Sequence, residues 1–446
     1  MRSNQANSRN VRKAPSNPMP GIDFAPVRHV DAPARETHVR QAPAREVPVR
    51  QAPVREASSK NDIPYNNPRK QKSNIFEVIS AAIATLMLLA VSIFSFIAKD
   101  REYSENENRY LAQKPLLSLS SIEDGKFMKD TDSYLSDQFV MRDLLVSTRT
   151  GIDVFFGKRE INGVYIGRKH YLFEKPSAFD EQRMNKTTAT MNAISSKNPN
   201  VRSYVAIAPN SSEVLSKYMP LNAPSENQTE QINKIYSKLT GYTAVDLCEP
   251  LKSAENPDEL YYKTDHHWTA AAVDIAFPKI ASAMQLNTGG LTYENIPVTN
   301  SFKGTLASSS GIFSASDTIS VPAYKPDIMY RVTYVAEGKT CNTVFDSSKL
   351  DEKSKYEVFF GGNFAQINIE SNPLSDRTLV IIKDSYANSL IPLLIPHFKK
   401  IIIIDPRYYN ENIQSTIEQE EVTDILWLYN ANTFLTDTSI TGKLSY

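Results

Sequence analysis

A carboxylate and an imidazole stand two positions apart in the stretch Tyr262-Lys263-Thr264-Asp265-His266-His267-Trp268-Thr269. Far downstream, a serine closes the apolar run Val380-Ile381-Ile382-Lys383-Asp384-Ser385-Tyr386. A nucleophile, a base and an orienting carboxylate are the parts of a serine acyl-transfer site, and Ser385, His267 and Asp265 are the candidates. In an extended turn, residues i and i+2 point the same way, so Asp265 can hold the His267 ring in one tautomer while His266 points elsewhere. Only six histidines occur in 446 residues, and two of them adjoin this aspartate and a tryptophan, a concentration that favours a site. The same three residues could begin a metal cluster. No further histidine or carboxylate follows at a ligand spacing such as H-x-x-x-H, so neither a metal nor another cofactor is expected. Trp268 can stack on a sugar face or pack inward, and packing with one exposed edge is the preferred reading. Ser385 alone is a weak signal, because a serine after a strand is more often a helix N-cap.

Those residues need a scaffold that brings them to one place. Short apolar runs at 204–208, 243–247, 378–382, 400–404 and 424–429 read as strands. They alternate with helical stretches at 180–195, 226–239, 269–284, 388–396 and 412–420. Such alternation predicts an α/β fold with a parallel sheet covered on both faces. Ser385 then sits at a strand-to-helix turn on the carboxyl edge of the sheet, where ligands bind. Residues 164–173 read as a hairpin. The stretch 288–376 breaks the rhythm and is expected to be an insertion of loops and strands near the site, with strand-like pieces at 329–335 and 356–360.

Residues 1–74 are expected to form a disordered basic tail. They carry 14 Lys/Arg against 6 Asp/Glu, a net +8 that the rest of this neutral chain balances with −8. They also hold 10 of the 26 prolines and few large apolar residues, so no core can offset the ordering entropy. A ten-residue unit recurs there, with Pro33, Pro43 and Pro53, Arg35, Arg45 and Arg55, and Glu36, Glu46 and Glu56 in register. It reads either as a spacer or docking tail or as a drifting low-complexity linker, and is too short for a solenoid. Residues 75–98 follow as a transmembrane helix, uncharged from Val78 to Ala98. Arg69, Lys70 and Lys72 precede it, which places the N-terminus in the cytoplasm and the acidic body outside, as a single-pass membrane protein. A polar, then amphipathic stretch at 99–157 is expected to supply one or two stem helices, and 158–446 the catalytic domain. Nucleic-acid binding is not expected, since the basic tail has no aromatic residues between its arginines and no recognition helix. Cys248 and Cys341 are too few for a disulfide framework and read as lone thiols or a single bridge.

Asp265-His266-His267-Trp268 resembles the signature of the bacterial DHHW proteins. These in turn resemble the alginate O-acetyltransferase group of SGNH-like proteins. Flanking residues agree: Phe127-Met128, Asp137-Gln138-Phe139, Arg142-Asp143 and Asn162-Gly163-Val164-Tyr165-Ile166-Gly167. The resemblance covers roughly 100–446 and implies a three-layer SGNH-hydrolase-like fold, circularly permuted, with Asp, His and Ser in that chain order. By this mapping Asn430 or Asn432 takes the place of the oxyanion asparagine. Arg407 falls where a glycine would assist, and the resemblance implies that it either replaces that glycine or binds substrate. Trp268 and His266 complete the substrate-side candidates. The implied activity is acetyl transfer through Ser385 to a cell-surface or secreted polysaccharide, the acetyl arriving through a multi-spanning membrane-bound O-acyltransferase partner. An esterase or deacetylase with the same triad, and a non-catalytic glycan-binding scaffold of an envelope assembly, are the alternatives.

Overall fold

The computed structural model describes residues 75–104 and 109–444, so the tail at 1–74 and its repeats lie outside the described residues. Helix α1 (Ile75–Ile97) has 23 residues, a mean hydropathy of 2.3 and Glu77 as its one charged residue. At 1.5 Å per residue it is about 34 Å long, and so is long and apolar enough to cross a bilayer. Ser95 Oγ near its end accepts the Val140 N–H at 3.2 Å. Three helices follow where the sequence suggests one or two: α2 (Leu119–Glu123), α3 (Lys126–Asp137) and α4 (Arg142–Phe155). Gln138 ties them to the segment after α1. Its amide donates to the Arg101 and Ala112 carbonyls at 2.9 and 3.0 Å, and its Oε1 accepts the Arg101 N–H at 2.9 Å.

The main sheet has eight strands. In chain order these are β1 (Arg202–Ala208), β2 (Tyr242–Val245), β3 (Tyr330–Tyr334), β4 (Lys339–Cys341), β5 (Gln366–Ser371), β6 (Thr378–Lys383), β7 (Lys400–Ile404) and β8 (Asp424–Asn430). Their spatial order is β4-β3-β5-β7-β6-β8-β1-β2. The five strands from β7 to β2 are parallel. The inner four, β7, β6, β8 and β1, read as largely apolar runs because both of their faces are covered, whereas the edge strand β2 is half exposed. Along β6, Leu379 and Ile381 pack on one side with Val273, Phe277 and Ile280 of α7 (Ala270–Ala283). Val380 and Ile382 pack on the other with Met184 and Met191 of α5 (Glu181–Lys197) and Ile232 of α6 (Gln228–Lys238).

The insertion does more than decorate the site. β3, β4 and β5 join the sheet as an antiparallel extension, with β5 paired to β7, so the exposed edge of the parallel half is covered. Thr292–Phe302 and Asp317–Lys325 form a separate hairpin. The strand expected at 356–360 is instead a 3-10 turn, Lys355–Val358. Phe360, Gly361 and Gly362 then take φ of 67°, 77° and 134°, which no extended strand can accommodate. The helix expected at 388–396 is also broken. A 3-10 turn (Ser385–Ser389), one α turn (Ile391–Leu394) and a second 3-10 turn (Ile395–His397) replace it, because Pro392 and Pro396 lack the N–H a continuous helix would need. Elsewhere the strand and helix positions read from the sequence agree with the structure to within about two residues.

Candidate active site

Strands running in parallel finish on the same side, so their carboxyl ends deliver loops to one rim. β6 ends at Lys383 and leads directly into Asp384 and Ser385. β7 leads to Asp405 and Arg407, and β8 ends on Asn430. Asp384 caps the turn after β6, accepting the Tyr386 N–H at 2.9 Å. The Tyr261–Trp268 segment closes on itself through an antiparallel bridge between those two residues. That closure turns Asp265 and His267 toward the rim.

The three candidate side chains form one hydrogen-bonded line. His267 Nδ1 lies 2.5 Å from Asp265 Oδ1, and His267 Nε2 lies 2.8 Å from Ser385 Oγ. With the proton on Nδ1 donated to the carboxylate, Nε2 is left to accept from the serine hydroxyl. Asp265 Oδ1 also accepts the His267 backbone N–H at 3.0 Å. Its Oδ2 accepts the Thr305 N–H at 2.7 Å and the Thr305 hydroxyl at 3.0 Å. Thr305 opens helix α8 (Thr305–Ser310), and Gly304 stands against the carboxylate: a Cβ there would overlap Asp265 Oδ2, Cβ and Cγ. The Thr264 hydroxyl and two backbone N–H groups are in turn held by Asp317 at 2.5–2.9 Å.

Electrostatics follow from this packing. Burial opposes ionisation of Asp265, but the two imidazoles and the donors from His267 and Thr305 outweigh it and hold the carboxyl well below the usual range. Burial and the neighbouring His266 push the His267 imidazole down to about 4, against the opposing pull of Asp265. A neutral imidazole at ordinary pH can take a proton. Its ring is sandwiched, with Tyr356 stacked at 3.8 Å between centroids on one side and His266 at 3.9 Å on the other.

Asp265, His266 and His267 offer ligand atoms within 4.8 Å of one another, close enough for a metal. Both oxygens of Asp265 already accept hydrogen bonds from protein donors, and a metal there would compete with the contact from His267 to Ser385. The donor set therefore fits an orienting role better than a ligating one.

A cavity of about 260 Å³ opens onto the line, walled by Gly304, Thr305, Lys353, Glu357, Asn363 and Arg407, with His266, His267 and Ser385 at its base. A larger cavity of about 610 Å³ lies against α4, but none of the three candidate residues lines it. Size therefore does not mark the chemistry here.

Not every side chain expected at the site reaches it. His266 and Arg407 line the cavity, with His266 Nδ1 2.8 Å from the Thr305 hydroxyl and Arg407 forked onto Asp405 at 2.6 and 2.8 Å. Trp268 does not: it is fully buried, and its indole N–H is shared by the Tyr386 carbonyl and Ser389 hydroxyl, both at 3.0 Å. The expected exposed edge is absent, because the indole serves as the floor that ties the two sequence motifs together. Asn430 does not reach the cavity either. Its amide donates to Asp384 and, at 2.6 Å, to Thr433, so those protons are used inside the protein. Asn432 is likewise spent on Glu174 at 2.7 Å. Sequence reasoning did not single out Gly304, Thr305, Tyr356 or Asn363. A Gly-Thr pair before Leu306-Ala307 signals a helix start, but nothing in it names Asp265 as its partner.

Residues 177–404 match the family model described as DHHW protein. The Pseudomonas putida protein named "Probable alginate O-acetylase AlgJ" is 23% identical over 168 residues, which are 36% of this chain and 44% of that protein. The protein of that name from Pseudomonas syringae pv. tomato is 20% identical over 173 residues, again 44% of its length. The chain thus spans less than half of the curated relatives it matches. Among solved structures, a DHHW family protein from Eubacterium siraeum superposes with a TM-score of 0.55 at 21% identity, covering 64% of this chain and 97% of that one. Bacillus cereus PatB1 with a sulfonyl adduct gives 0.54 at 20% identity, covering 62% and 97%. These two likenesses establish a shared fold.

Proposed function

The chain belongs to the DHHW family, and we propose that it is a membrane-anchored O-acetyltransferase that acetylates an extracytoplasmic polysaccharide through an acetyl-serine at Ser385. One observation carries this reading: the unbroken line from Asp265 through His267 to Ser385, at 2.5 and 2.8 Å, at the base of an open cavity. The distant relation to proteins named as alginate O-acetylases supports the polysaccharide acceptor. α1 and the basic residues before it support the anchor and its orientation. The order of motifs, with Asp and His ahead of Ser on the later strands, supports a circularly permuted SGNH-like arrangement.

The steps follow from the contacts. Ser385 Oγ attacks the acetyl carbonyl carbon while its proton passes to His267 Nε2, and Asp265 stabilises the imidazolium that forms. The tetrahedral intermediate collapses, the bond to the leaving group breaks, and the leaving group takes the proton from His267. A sugar hydroxyl then attacks the acetyl-serine and gives its proton to His267, which returns it to Ser385 Oγ as that bond breaks. The donor is an activated acetyl group delivered from a membrane-bound acyltransferase partner.

The test uses the full chain in detergent with p-nitrophenyl acetate. Mass spectrometry should find an acetyl group on Ser385, and an added oligosaccharide should become acetylated. Acetate release with no acetylated sugar makes the protein an esterase. No acetyl-serine, and no labelling of Ser385 by a sulfonyl fluoride, makes it a non-catalytic scaffold and defeats the proposal.

A further inference from the structure

An acetyl-serine mechanism needs donors for the negative charge that develops on the carbonyl oxygen, and the asparagine expected from strand order is committed to Asp384. The cavity offers another amide. Asn363 is exposed and lines the same cavity as Ser385. Its orientation follows from chemistry rather than from electron counting between oxygen and nitrogen. Lys383 Nζ approaches one terminal atom of the amide at 2.9 Å, and Asn388 Nδ2 approaches the same atom at 3.3 Å. An ammonium group can only donate, so that atom is the oxygen. Lys383 is itself buried, which pulls its pKa below the usual lysine value, while the Asp405 carboxylate 3.4 Å away opposes that pull and favours the charged form. The Asn363 oxygen is thus anchored in the protein, and no side-chain acceptor within the described residues takes its two N–H protons.

The backbone leading to Asn363 is built to hold that position. Phe360, Gly361 and Gly362 are three successive residues with φ between 67° and 134°. Only glycine adopts such values without cost, so Phe360 is strained, and it is held by an N–H bond to the Val344 carbonyl at 2.6 Å and by the Tyr334 hydroxyl on its own carbonyl at 2.8 Å. Strain maintained by surrounding contacts is what a fixed donor requires, since a preorganised group loses nothing to reorientation as charge develops.

We infer that Asn363 Nδ2 is a catalytic oxyanion donor for the reaction at Ser385, presented by the Phe360-Gly361-Gly362 turn and polarised from behind by Lys383. Accepting a hydrogen bond from a cation strengthens an amide as a donor on its opposite side. The assignment rests on the acetyl-serine reading above and names a group that this reading leaves open.

The test compares the unaltered protein with Asn363→Ala and Asn363→Asp, using p-nitrophenyl acetate turnover and the rate of labelling by phenylmethylsulfonyl fluoride. Asn363→Asp is the decisive variant. It keeps an oxygen for Lys383 and Asn388, so the fold is retained, but sets a second oxygen where the donor stood. Both variants should lose about 100-fold or more in kcat, the effect of removing one oxyanion donor, with KM changed less than about threefold. Labelling should slow in parallel, because a sulfonyl oxygen uses the same donors. An Asn363→Asp protein that folds and keeps kcat within about threefold overturns the assignment and leaves the acetyl-serine reading intact. Failure of the unaltered protein to form acetyl-Ser385 overturns both.

Discussion

Two aspartates, each next to a proposed catalytic residue and each almost wholly buried, are shifted in opposite directions by what surrounds them. Asp265 stands two residues before His267, and Asp384 one residue before Ser385. Burial works against ionisation in both. Around Asp265, two imidazoles and the donors from His267 and Thr305 prevail, and the carboxyl stays well below its usual range. Around Asp384, burial prevails over the Asn430 and Tyr386 N–H groups and the Arg407 charge, and the carboxyl is pushed up to about 6. Residue type and depth therefore do not decide which carboxylate can serve an imidazole. The rings and hydrogen-bond donors that surround each carboxyl decide it. In the proposed reaction Asp265 acts electrostatically on the base, whereas Asp384 caps the turn after β6 and is given no such task.

The comparison breaks first in the kinetics of the isosteric amides. Asp265→Asn should lower kcat for p-nitrophenyl acetate by about 10⁴-fold, because the wrong tautomer of His267 is then favoured. Asp384→Asn should lower it by less than about tenfold. Equal losses in the two variants would show that both aspartates only hold the loops. Gly304→Ala sharpens the same point without touching a polar group. The added methyl must displace Asp265 or move α8, so kcat should fall by about 100-fold while KM stays within about threefold. Retention of full activity in Gly304→Ala would mean that the Asp265 geometry is not needed.

A smaller effect lies in the pH profile. The proposed base must be neutral, and protonation removes it as pH falls. With His267 depressed to about 4, the acid limb of kcat/KM should have its midpoint well below the ordinary imidazole value near 6.5. His266 contributes to that depression, so His266→Phe, which keeps a ring against His267, should move the limb to higher pH. A limb near 6.5 in the unaltered protein, unmoved in the variant, would show that neither burial nor His266 depresses the base.

Much of this arrangement is legible from residue type because the signals are local. Unbroken runs such as Ile401-Ile402-Ile403-Ile404 announce buried parallel strands, and Asp265-His266-His267-Trp268 announces a site by sheer rarity of its residues. What is not legible depends on partners chosen in three dimensions. Asn430 lies at the end of β8 beside β6, yet the Asp384 carboxylate across the ladder accepts from both its backbone N–H and its side-chain amide. Trp268 is read as packing, but its exposure cannot be known until Tyr386 and Ser389 are seen to take its N–H. Asn363 sits in a stretch without periodicity, and its meaning comes from Lys383, twenty positions on in another element. The antiparallel strand β5 alternates apolar and polar residues along 366–370, but its pairing with β7 is likewise a choice made in three dimensions.

The finest distinction between the two aspartates is thermodynamic, and it has a sign. A carboxyl whose folded pKa is depressed contributes stability above its unfolded value and loses it as pH falls. The advantage of the unaltered protein over Asp265→Asn should therefore be full at pH 7 and shrink below about pH 4. A carboxyl whose folded pKa is raised behaves in reverse, contributing most below its unfolded value and losing that contribution as pH rises through the folded one. The advantage over Asp384→Asn should be largest near pH 4 and fall by on the order of 2 kcal/mol by pH 7. Scanning calorimetry of the three proteins between about pH 2 and 7.5 reads both slopes, the Asp265 one below about pH 4 and the Asp384 one between about pH 4 and 7. Slopes of the same sign would mean that Asp384 is ionised as firmly as Asp265, and the contrast between an electrostatic partner and a structural cap would have to rest on geometry alone.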